Sequence, residues 1–123
     1  QVITLGSPFA GLREPNNARW LYEAVSGKSL SDIPSELFEK VSAPPIVPFT
    51  SIYSKTDGVV SWQHCLEKTS ATAQNVEVYG SHFGMGHDPS VLACIINRLG
   101  QSEADWEHFS PTNFSKFMYP NLK

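Results

Sequence analysis

Apolar residues along this chain fall into three short runs and several helix-spaced stripes. The runs are Val2 to Leu5, Phe49 to Tyr53 and Val76 to Tyr79. Each is rich in β-branched or aromatic residues and gives way to Gly, Ser or Asp, the mark of a strand that ends in a working loop. Helix-like stretches separate and follow them, and such strand–helix alternation favours a parallel sheet. The clearest helix is predicted from Pro89 to about Leu99. Asp88 suits its N-cap and Pro89 its first turn, where a missing N–H costs nothing. Val91, Leu92, Ile95, Ile96 and Leu99 read as one inward stripe, with Gly100 closing the helix in a left-handed conformation. A second helix is expected after Val60, capped by Ser61 and turning Trp62, Cys65 and Leu66 inward.

Between the first two strands lie roughly forty residues of another character. Asn16 or Asn17 could cap a helix bearing Trp20, Leu21, Ala24 and Val25 on one face and closed by Gly27. Asp32 to Val41 could form another around Ile33, Leu37 and Val41, before the stiff connector Ala43-Pro44-Pro45-Ile46-Val47-Pro48. Residues 10–45 therefore suit either a small cap over a cleft or ordinary crossover helices. Residues 101–123 form a tail with Trp106, Phe109, Phe114, Phe117, Met118 and Tyr119, ordered by no single period and expected to pack back on the domain.

Composition narrows the field. The 123 residues are 41% hydrophobic and 17% charged, ordinary globular material, and make one small domain or part of a larger one. A formal charge of -3 argues against nucleic-acid or anionic-membrane partners. No apolar run is long enough for a transmembrane segment. The chain opens on Gln1 and enters an apolar run at once, which reads as the start of a processed or truncated piece. A cytoplasmic setting is expected. Cys65 and Cys94 set no disulfide framework and read more simply as interior thiols.

The candidate chemistry lies beyond the second and third runs. Asp57 follows Tyr53 in a turn completed by Gly58, with Val59 and Val60 expected to drop back into the core. His82 follows Tyr79 in the glycine-rich loop Gly80-Ser81-His82-Phe83-Gly84-Met85-Gly86. An Asp-Gly pair alone is common turn chemistry. With a histidine at the same sheet end on a neighbouring strand, it can act as an acid that fixes the imidazole tautomer. His87 competes with His82 but adjoins a helix N-terminus, where the dipole disfavours an imidazolium. His64 and His108 read as surface residues.

No serine has the flanking glycines of a nucleophile elbow. Ser7 follows a strand, but Pro8 removes the N–H that would form half an oxyanion hole. Ser54 and Ser81 read as loop-shaping residues. A metal site from His82, His87 and Asp88 is a second reading, though Asp88 already has a capping role.

Together, Val2-Ile3-Thr4-Leu5-Gly6-Ser7-Pro8-Phe9, Ser51 to Val60 and Asn75 to His82 resemble the C-terminal half of a lipase/esterase-like α/β-hydrolase, over residues 1 to about 109. The resemblance implies the last three strands of a parallel α/β sheet with flanking helices, Asp57 as triad acid and His82 as base. It also implies a carboxylic ester as substrate and no cofactor or metal, with thioesters, amides and epoxides as open alternatives; helices around Trp20 and Leu37 would shape an apolar acyl pocket that suits a lipophilic substrate. The serine elbow would then lie upstream of Gln1, so activity would need the N-terminal half of the domain. A non-catalytic fragment or interaction module that keeps the fold is the other implied function.

Overall fold

The computed structural model describes residues 1–10, 27 and 45–122. Three parallel strands, β1 (Val2–Leu5), β2 (Phe49–Tyr53) and β3 (Ala73–Glu77), lie side by side in that order. The register runs Val2↔Phe49 to Leu5↔Ile52 on one side, and Phe49↔Ala73 to Tyr53↔Glu77 on the other. Central β2 is buried at every residue, as expected for a parallel strand covered on both faces. Its polar Ser51 is accommodated by donating to the Cys65 carbonyl at 2.5 Å.

β3 sits upstream of the expected Val76–Tyr79 run. Gln74 and Asn75 break the apolar pattern, yet both enter the ladder because their side chains bind backbone nearby. Gln74 donates to the Phe109 carbonyl and accepts from the Phe109 N–H, at 2.9 and 2.6 Å. Asn75 makes the same two-way contact with Glu67. Satisfied in this way, the buried Gln74 amide and the half-buried Asn75 amide cost the strand little.

One α-helix, α1 (Pro89–Leu99), follows the His82 loop. Asp88 caps it by accepting from the Ser90 N–H at 2.8 Å, as anticipated. Two details differ from expectation. Gly100 ends the helix at φ -77°, with no left-handed residue. The apolar stripe is also split: Val91, Cys94 and Arg98 are buried and Ile95 partly so, whereas Leu92, Ile96 and Leu99 are exposed. Arg98 takes an inward place because its guanidinium lies against the Trp106 and Phe109 rings, at 5.4 and 5.7 Å, and donates to the Glu107 carbonyl and to Asn97 Oδ1. A long alkyl stem with a stacked planar head fills a core position that polarity alone would deny it.

The helix expected after Val60 is a single 3₁₀ turn, Trp62–Cys65, and Ser61 makes no capping bond to it. Cys65 is buried there; Trp62 and Leu66 are half-buried. His64 is half-buried, not on a solvated face, whereas His108 is exposed. The core gathers Ile52, Val76, Val78, Met85, Val91, Cys94, Phe109 and Tyr119. The tail contributes Phe109 and Tyr119, packed edge to face at 4.9 Å, while Phe114 and Phe117 stay exposed. The helices expected around Trp20 and Leu37, and so the body of the cap over 10–45, lie outside the described residues. No helix among the described residues is long and apolar enough to cross a membrane.

Candidate functional site

Asp57 lies four residues past the end of β2 and His82 five past the end of β3. Because the strands are parallel neighbours, both loops emerge at one sheet end. The side chains meet there: His82 Nδ1 stands 2.8 Å from Asp57 Oδ2. Val59 and Val60 are turned outward and half outward rather than into the core. This puts their N–H groups on Asp57 Oδ1, at 2.8 and 2.9 Å. The turn is thus an anion cradle for one carboxylate oxygen, leaving the other for the ring.

Burial pushes the Asp57 carboxyl up, but the Val60 N–H, the His82 bond and the Val59 N–H together outweigh it and hold the group below its usual range. An ionised carboxylate only accepts hydrogen bonds, so His82 Nδ1 must be the donor. In the neutral ring, Nε2 then carries the free lone pair. The His82 side chain is 29% exposed and that of Asp57 only 2%, so the pair has one wet end and one dry end. That arrangement can take up a proton at Nε2 and stabilise the cation from behind.

The neighbourhood is close-packed. Gly6, just past the end of β1, has φ +52°, a left-handed conformation, and a β-carbon there would run into Asp57 Oδ2, His82 Nδ1 and Met85. Met85, in the short 3₁₀ turn Met85–His87, is buried beneath the loop. Ser81 Oγ accepts from the Gly84 N–H and the Ser81 carbonyl from the Met85 N–H, closing the turn that presents His82. Phe83 is exposed and meets the His82 ring edge to face at 5.7 Å.

Other candidates are not brought to the pair. His87 is exposed, and Asp88 is occupied at the helix cap. Among the described residues, no three His, Cys, Asp or Glu come together as a metal site. Burial raises the Cys65 thiol to about 11, with the Asp57 charge adding, and the Cys94 thiol to about 12, so neither is a reactive thiolate. Among the described residues no hydroxyl or thiol bonds the His82 ring. Gly6, against which the pair packs, is not apparent from sequence, since a glycine ending a strand is commonplace.

No protein-family model matches the chain, and no curated protein and no solved structure matches it.

Proposed function

We propose that the chain carries the acid and base of a Ser-His-Asp hydrolase of carboxylic, lipophilic esters, with the nucleophilic serine supplied from outside these residues. The reading rests chiefly on the 2.8 Å bond between His82 Nδ1 and Asp57 Oδ2, formed by consecutive parallel strands in the order acid then base. In this mechanism His82 Nε2 takes the serine proton as the serine oxygen attacks the acyl carbon. It returns that proton to the alcohol as the ester C–O bond breaks. Water then reverses the sequence and frees the acid. Asp57 keeps Nδ1 protonated and steadies the imidazolium. Exposed Phe83 and Val59 give the surroundings of the pair an apolar character suited to an acyl chain.

A fluorophosphonate probe on the protein at its natural length tests this. A single serine should be labelled, and His82→Ala should slow labelling on the order of 10³-fold or more. The absence of any hydroxyl on the His82 ring among the described residues favours a second reading, a binding module that keeps a hydrolase-like pair. A natural-length protein that takes no probe and cleaves no ester would establish that reading instead.

A further inference from the structure

Thr56 precedes Asp57, and its hydroxyl reaches across to the loop that carries His82. Thr56 Oγ1 donates to the Gly80 carbonyl at 3.0 Å and accepts from the Gly80 N–H at 3.3 Å. Ser54 Oγ stands 2.9 Å from the same oxygen and accepts the Thr56 N–H at 3.1 Å. The protons of this cluster are fixed by counting, because a hydroxyl has one proton and two lone pairs. The Thr56 proton goes to Gly80, so the Ser54 hydroxyl must donate to Thr56. Both Thr56 lone pairs are then filled, one by Ser54 and one by the Gly80 N–H. Ser54 is itself buried, which anchors the cluster in the sheet end.

The strand ladder does not extend to this point. Its last contacts are Tyr53↔Glu77 and the bond from the Val78 N–H to the Tyr53 carbonyl. Beyond them, the described hydrogen bonds between residues 54–60 and 79–84 are those of Thr56 with Gly80 and of Asp57 with His82. Gly80 has φ +148°, where a side chain would be strained, so the clamped peptide occupies a conformation suited to glycine.

We propose that Thr56 is a positioning residue for the Asp57–His82 pair, its hydroxyl fastening the histidine loop to the acid loop and so setting the contact between Nδ1 and Oδ2. The clamp sits one residue from the acid and two from the base, a short lever on both. Its catalytic consequence rests on the hydrolase reading, but its structural consequence does not.

The test is the low-field Nδ1 proton resonance of His82, recorded at natural length with labelled histidine and assigned by its disappearance in Asp57→Asn. Thr56→Val keeps the shape and removes the hydroxyl, and the resonance should be lost or broadened beyond detection. Thr56→Ser keeps the hydroxyl and should retain it. With an active enzyme, Thr56→Val should lower kcat about tenfold or more with KM little changed, since small displacements of catalytic groups are costly. A Thr56→Val protein with an unaltered resonance overturns the proposal. So does a folded Thr56→Ser protein that has lost it, which decides the matter even where the valine variant does not fold. The resonance reports the hydrogen bond whether or not an ester is cleaved. A missing probe reaction with the resonance pattern intact would therefore remove the hydrolase reading and leave the clamp standing.

Discussion

Gly6 and Met85 stand so close that a β-carbon on Gly6 would lie 2.6 Å from Met85 Cε. The same β-carbon would fall 3.0 Å from Asp57 Oδ2 and 3.1 Å from His82 Nδ1. The end of β1 thus forms one wall of the Asp57–His82 contact, and only a glycine leaves room for it. Gly6→Ala should be destabilised by about 1–2 kcal/mol from the left-handed backbone alone. Met85 can yield, as a flexible side chain; the carboxylate and the ring are held by their own bonds and yield less. The variant should therefore lose the low-field His82 resonance while still unfolding cooperatively, which thermal melts and the proton spectrum check together. A Gly6→Ala protein with wild-type melting and an intact resonance would contradict this packing.

The depressed Asp57 carboxyl makes a statement about stability against pH. A group whose folded value lies below its unfolded value stabilises the protein above the unfolded value, and loses that contribution as pH falls through the folded one. For Asp57 the loss begins near the ordinary aspartate value of 3.8 and continues below it. Urea midpoints of the wild type and Asp57→Asn should differ above about pH 4, with the wild type more stable. The difference should shrink as pH drops below about 4. A gap that stays constant into that acid range would show that the carboxylate is not held by Val59, Val60 and His82 as described.

The legible parts of this chain were those governed by local rules. The α1 cap at Asp88 and the strand runs Val2–Leu5 and Phe49–Tyr53 follow from turn chemistry and apolar runs, and the structure places them there. The nearness of Asp57 and His82 also follows from residue type and loop position, given a parallel sheet. What sequence left hidden depends on partners distant along the chain. Gln74 and Asn75 join β3 only because Phe109 and Glu67 lend them backbone groups. Arg98 enters the core only because Trp106 and Phe109 flank it. Helix periodicity marks apolar positions but not which arc meets the sheet, so the predicted stripe includes Leu92, Ile96 and Leu99 although they face out.

Asn121 closes the outer edge of β3. Its side-chain Oδ1 accepts from the Glu77 N–H at 2.8 Å and its Nδ2 donates to the Asn75 carbonyl at 2.9 Å, the two bonds that a further strand would otherwise make. The 3₁₀ turn Pro120–Leu122 packs along β3 to hold the amide in register, and Leu122 reaches the core. An edge with free N–H and C=O groups invites pairing with another chain, and a side-chain amide is one means of blocking it. Asn121→Ala should cost only about 1 kcal/mol, because water replaces much of what is lost at a partly exposed site. Its larger effect should be on association, with the variant aggregating faster than the wild type at equal stability. Light scattering at matched distance from the melting temperature measures this, and Asn121→Gln serves as a control that keeps the amide but displaces it by one methylene. Equal aggregation of Asn121→Ala and wild type would mean that the rest of the tail, not this amide, guards the edge.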